Sequence, residues 1–278
     1  MIARCVVLVL LVACGDSATS RRILFIRGAS GTGGFVEGGT DDHLCDIGDT
    51  STEFYNHGYG QLAGLLLEDG FAVEQLIEPI APANVLLSTY AVVVFGSNNA
   101  PYTANDADAL VRYVEAGGGA LFSSDGNWGT FWDKAPRSDQ TFLTPFGLII
   151  NQDGGGLVTL TPADFLVPSH PILRGVEAFE GEGTSPCSLS HDPAALATPL
   201  QLAPTKGVVR RNTAPEGPVE PSTPDDASLT VVEYGRGRVA CHFDRNTFFN
   251  ENGAGTSLTR VSNRTYARNL FAWLARAN

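Results

Sequence analysis

The sequence predicts an α/β fold: three layers, α/β/α, around a mostly parallel, flavodoxin-like sheet with a β-hairpin insertion. Two observations carry this. Residues 91–95 (AVVVF) and 120–123 (ALFS) read as strands buried on both faces, as parallel strands are. Strand-like and helix-like segments alternate β-α-β-α-β from residue 23 to residue 123, and such units join parallel strands.

Each element has its own signal. Residues 23–27 (ILFIR) are short, apolar and β-branched, and read as the first strand. A Gly- and Asp-rich loop follows, residues 28–51. Thr52 can cap a helix over 53–69, and Gly70 can stop it. Residues 71–76 form the second strand. Thr103-x-x-Asp106 starts a capped helix through Glu115, and Gly117-Gly118-Gly119 ends it.

Residues 127–146 read as a loop with aromatic side chains, and 148–160 as a hairpin around Asp153-Gly154-Gly155. The stretch 203–228, rich in Pro, Thr and acidic residues, reads as an exposed loop. A hairpin of 229–234 and 238–243 turns at Gly235-Arg236-Gly237. The last element is an amphipathic helix over 263–276, with Tyr266, Leu270, Trp273 and Leu274 on one face.

The N-terminus reads as an export signal. Arg4 precedes an apolar run, residues 5–12, far shorter than the roughly 20 residues of a membrane span. Leu11-Val12-Ala13-Cys14 resembles the lipobox of bacterial lipoproteins. The resemblance implies a signal peptide over 1–13, lipidation of Cys14, a tether over 14–21, and one domain over 22–278. Gly15 after the cysteine points to the outer membrane. The expected location is therefore lipid-anchored and extracytoplasmic.

The 278 residues carry a net charge of −12, so nucleic acid and anionic membrane surfaces are poor partners. The membrane link expected is the lipid. Cys45, Cys187 and Cys241 remain in the mature chain, and an oxidising compartment makes one disulfide plausible. Cys45 and Cys187 lie in loop-like sequence and form the preferred pair. Cys241 lies in a strand and reads as a buried thiol. The spacing of Cys and His gives no zinc motif, and no cofactor is expected.

The order of elements now resembles a known fold. A first strand leads into a Gly-rich loop, and a buried strand ends at Phe95-Gly96-Ser97. GGGALF, His170-Pro171-Ile172, YGRGRV at 234–239 and a terminal FAWLA follow. This is similar to the class I glutamine amidotransferase-like fold, over most of residues 22–277. The nearer likeness is to the ThuA-like, non-glutaminase branch. Glutaminase members carry a Cys nucleophile after the strand at 120–123 and a later His-x-Glu. Here the first place reads Ser123-Ser124-Asp125-Gly126 and the second His242-Phe243-Asp244. The resemblance therefore implies loss of glutamine hydrolysis.

Three functions stay open. One is a binding domain for a small polar or carbohydrate ligand. It would use Asp125, Asn127 and Trp128 from one strand end, and Arg245, Asn246, Phe248 and Asn250 from another. Amides bond hydroxyl groups and rings stack on the apolar faces of sugars. The second is a serine hydrolase with Ser124 as nucleophile, His242 as base and Asp244 orienting the imidazole. The third is a structural or assembly role in the envelope, suggested only by the Pro-rich stretch. Asp41, Asp42 and Asp46, with Asp49 and Glu53 nearby, could hold calcium, though not at EF-hand spacing. The glycines of GASGTGG lack the Gly-Lys-Ser/Thr of a phosphate loop. His57, placed on the first helix, could face the crevice.

Overall fold

The computed structural model describes residues 21–27, 44–54, 56–77, 81–97, 100–123, 134–151, 156–182, 186–211, 218–251 and 256–277. Four parallel strands form its centre: β1 (Arg22–Arg27), β3 (Val92–Ser97), β4 (Gly119–Phe122) and β13 (Gly237–His242). β2 (Ala72–Ile77) extends one side, also parallel. On the other side lie the antiparallel β12 (Asp226–Tyr234), β8 (Cys187–Leu189) and β5 (Leu148–Ile150), and β9 (Leu200–Pro204) also pairs with β12. The order β2-β1-β3-β4-β13-β12-β8-β5 has two faces, and each face carries a core.

Helices cover both faces, as apolar strands require. α1 (Gly60–Glu68) and α4 (Asn263–Leu274) give Leu62, Leu66, Leu270 and Phe271 to one core. α2 (Ala104–Glu115) and α3 (Lys134–Leu143) give Leu110, Val114, Phe142 and Leu143 to the other. The α2 start forms as the sequence predicts. The Asp106 carboxylate accepts from the Thr103 backbone N–H at 2.9 Å and from its hydroxyl at 2.7 Å. The β12–β13 hairpin and the terminal helix also form where expected.

Five expectations are corrected. The first helix begins at Gly60, not at residue 53. Ahead of it, Asp49 accepts from the Ser51 N–H and Asn56 from the Gly58 N–H, so local side-chain bonds replace helical ones. Residues 127–146 are not wholly a loop, because they contain α3, whose Phe142 ring sits 4.9 Å from Phe95.

Residues 148–160 are not a hairpin. β5 pairs with β8, whereas β6 (Leu157–Leu160) pairs with β7 (Phe179–Glu182). The reason is geometric: Leu148 and Ile150 fill one core, Val158 and Leu160 the opposite one.

The stretch 203–228 is not a single loop. It holds the end of β9, a small hairpin of β10 (Val208–Arg210) and β11 (Val219–Pro221), and the start of β12. Asp226 fixes it, buried and bonded to Arg211 through both carboxylate oxygens (2.5 and 2.6 Å) and to Ser188 at 2.5 Å.

The disulfide joins Cys187 to Cys241, not to Cys45. Cys187 and Cys241 lie in the same core, while Cys45 belongs to the core across the sheet. The Cys45 thiol points at the Gly96 carbonyl, 3.5 Å away.

Candidate functional site

Because β1, β3, β4 and β13 are parallel, their C-terminal ends share one edge of the sheet, where crevices of such folds open. β1 ends in Arg27, 5% exposed, whose guanidinium lies 3.2 Å from the Leu44 carbonyl and 3.5 Å from the Asp46 carboxylate. Asp46 also accepts from the Gln75 amide on β2 at 3.2 Å. Tyr59, wholly buried, donates to the Arg245 carbonyl at 3.1 Å. Burial, with the Cys45 thiol beside it, pushes its phenol well above the usual range.

Beside this floor is a cavity of about 480 Å³, lined by Asp46, Asp49, Ser51, Glu53, Phe54 and Asn56. Phe54 is 69% exposed. A brace beneath holds the lining in place. Asn250 accepts from the Gln61 N–H at 2.8 Å and donates to the Asp49 carbonyl at 2.6 Å and to Asn56 Oδ1 at 2.8 Å. The chain passes so close here that a Cβ on Gly60 would lie 2.1 Å from the Asp49 carbonyl oxygen.

His242 ends β13 with no exposure. Its Nδ1 lies 2.9 Å from the Tyr266 hydroxyl and its Nε2 2.9 Å from the Thr247 hydroxyl. Thr247 donates to the Glu180 carbonyl at 2.8 Å, so its oxygen accepts from His242 Nε2–H. Nδ1 then accepts from Tyr266. The chain Tyr266→His242→Thr247→Glu180 is directional and uses both ring nitrogens. Burial lowers the imidazole pKa to about 3, so the ring is neutral.

The Asp244 carboxylate is turned to backbone N–H groups. Its Oδ1 accepts from the Asn246 N–H at 2.9 Å, and its Oδ2 takes the Glu182 N–H. The carboxylate caps a short 3₁₀ turn, Arg245–Phe248. Both carboxylate oxygens of Asp244 therefore serve backbone N–H groups, while both ring nitrogens of His242 are engaged by Tyr266 and Thr247. Ser124 itself lies outside the described residues.

The structure sorts the other expected site residues. Arg245, Asn246, Phe248 and Asn250 are all buried, between 0% and 4% exposed. Phe248 belongs to the core. Asn250 supports the cavity from below instead of facing a ligand. His57 precedes the first helix and is buried, its ring 4.8 Å from Phe249. Asp125, Asn127, Trp128, Asp41, Asp42 and Cys14 lie outside the described residues. Among the described residues no cluster of His, Cys, Asp or Glu could hold a metal, and Asp46 already engages Arg27 and Gln75. Tyr266, Thr247 and Asn56 went unseen as site partners. Tyr266 shows in sequence only as one apolar position on an amphipathic helix.

Parallel strand order, helices on both faces and a strand-end crevice define the class: a three-layer, flavodoxin-like α/β/α domain. Two solved structures with TM-scores of 0.50 or more agree on that fold. The mmIFT52 N-terminal domain is similar over 91% of this chain and 97% of its own, at 16% identity and TM-score 0.58. The cytoplasmic protein STM1381 of Salmonella typhimurium LT2 is similar over 91% and 99%, at 14% identity and TM-score 0.50. A ThuA-like protein from Bacteroides uniformis is similar over 94% of each chain, at 14% identity and TM-score 0.49. No protein-family model and no curated protein matches the chain.

Proposed function

We propose that this is a lipid-anchored extracytoplasmic domain, a non-glutaminase relative of the amidotransferase-like fold, that binds a small polar or carbohydrate ligand at the C-terminal edge of the sheet. The observation that carries the ligand reading is the cavity at Asp46–Asn56. Carboxylates, a hydroxyl and an amide line it beside an exposed aromatic ring, the mixture that takes a polyhydroxylated ligand. A binding role is favoured over hydrolysis because His242 is neutral and has both nitrogens engaged. The Cys187–Cys241 disulfide supports export, since such bonds persist in oxidising compartments.

The test is a glycan array followed by titration calorimetry of the best hit. Phe54→Ala and Glu53→Gln, both at exposed side chains, are expected to weaken binding tenfold or more. A screen with no saccharide ligand, or a hit indifferent to both changes, would overturn the ligand reading. Mass spectrometry of the native N-terminus tests the anchor: an unacylated terminus, or membrane association that survives Cys14→Ala, counts against it.

A further inference from the structure

The opposite edge of the sheet carries a second cavity, of about 580 Å³, whose character is reversed. Arg174, Arg238 and Arg276 line it with Trp273 and Asn269, and no acidic side chain lines it among the described residues. Its floor is built. The Trp273 ring is buried, with the Arg238 guanidinium over one face at 4.8 Å and the His170 ring edge-on at 5.3 Å. Arg238 is committed to the fold: it donates to the Trp273 carbonyl at 2.6 Å and to Glu233 at 3.0 Å. Arg174 and Arg276 are exposed and form no ion pair among the described residues.

Helix dipoles favour cations near a helix C-terminus, which accounts for Arg238. The same dipole favours the charge of Arg276 but does not account for its backbone conformation. Arg276 follows the last turn of α4 with φ 51°, the left-handed slot that glycine usually fills. Its N–H reaches the Trp273 carbonyl and the next N–H reaches Ala272. An arginine kept in a left-handed position that glycine usually fills is backbone strain retained there. Burial, then the nearby Arg238, lowers the Arg276 pKa, and Glu233 opposes the shift.

The cavity lies at the edge where the chain enters the sheet. Arg22 opens β1 and Arg238 lies at the start of β13, and these strands are three strand spacings apart, or about 14 Å. Cys14 stands seven residues before Arg21, at most about 25 Å of chain. We propose that this cavity binds the phosphate of an anionic lipid headgroup in the membrane that carries the anchor. It would hold the N-terminal strand edge against the bilayer and turn the acidic cavity away from it. The net charge of −12 repels such a surface overall, so the attraction is local to this edge. This inference rests on the anchor reading for its geometry, and the experiment separates the two.

The test uses the mature chain with Cys14→Ser, which cannot be acylated. Sedimentation with phosphatidylglycerol-containing vesicles is compared with phosphatidylcholine vesicles, and inorganic phosphate is titrated separately. Binding to the anionic vesicles is expected, weakening with salt. Arg174→Gln with Arg276→Gln should reduce it about thirtyfold, each arginine being worth about a factor of five near an anionic surface. The Arg→Lys pair should retain most of it. Equal binding to both vesicle types, or no effect of the glutamines, overturns the proposal. Phosphate binding lost in the glutamine variant without vesicle binding would overturn the lipid source. An unacylated native N-terminus would end the anchor reading while leaving the vesicle result to stand on its own.

Discussion

Two buried polar clusters, one on each side of β12, solve the same problem with opposite charge states. Around His242 the solution is neutral: Tyr266, the imidazole, Thr247 and the Glu180 carbonyl pass hydrogen bonds in one direction. Around Asp226 it is ionic: Arg211, Ser188 and Thr223 surround a carboxylate. Burial raises the Asp226 pKa, but Arg211 and then Ser188 outweigh it and hold the group at about 2. The disulfide joins the two clusters through sequence neighbours, since Cys241 precedes His242 and Cys187 precedes Ser188. In both clusters the buried polar groups are satisfied by partners within the fold, as burial requires.

Acid should separate the clusters, with the largest effect at His242. Its folded pKa of about 3 lies below the unfolded value of about 6.5. The unfolded chain therefore binds the extra proton between these values, and stability falls as pH drops from about 6.5 toward 3. The full loss is on the order of 5 kcal/mol. Urea unfolding at pH 7, 5 and 4 should show it, and His242→Gln should flatten that slope. An unchanged slope would mean that His242 is not held neutral.

The disulfide ranks next. It closes a loop with a sequence separation of 54, worth about 4 kcal/mol by chain entropy. Cys187→Ser with Cys241→Ser should lower stability by roughly that amount, and reductant should act alike on the wild type. If the bridge couples the clusters, its loss and His242→Gln will not add.

Asp226→Asn should cost about 3 kcal/mol, because it removes a two-point ion pair and leaves Arg211 only the exposed Glu220 carboxylate, 3.5 Å away. Its acid signature differs from that of His242. Asp226 loses its contribution only as pH falls from about 4 toward 2, so its variant should diverge from wild type above pH 4 and converge with it below. Parallel curves down to pH 2 would contradict the ionic description.

The same contrast marks what the sequence displays. β1, β3, β4, α2 and the β12–β13 hairpin are legible because their signals are local: apolar runs, a capping box, a glycine turn. β5 and β6 mislead because both are apolar and flank glycines, yet their partners lie elsewhere, with Leu148 opposite Leu189 and Leu157 opposite Glu182. β10 and β11 hide in polar composition, since a short outlying hairpin buries little. The cysteine pairing turns on which face of the sheet each side chain takes, which loop-like sequence does not show. His242 is visible in sequence, but Tyr266 stands 24 residues away on a helix and changes the meaning of the motif.

The smallest expected effect tests whether the acidic cavity is a braced surface or a loose loop. Asn250 makes its bonds to Gln61, Asp49 and Asn56 from a buried position. Asn250→Ala would leave the Gln61 N–H short of its partner and the Asp49 carbonyl with the Gly60 N–H alone, at about 1–2 kcal/mol. The informative readout is not that loss but where it appears. Amide exchange should quicken over residues 49–61 and remain unchanged at Tyr266 and Thr247, because the brace and the His242 chain share no hydrogen bond. Ligand affinity at the cavity should fall with it, through positioning alone, since Asn250 does not line the cavity. Uniform exchange throughout the domain would instead make Asn250 an ordinary core polar residue, and the cavity would lose the support that sets its shape.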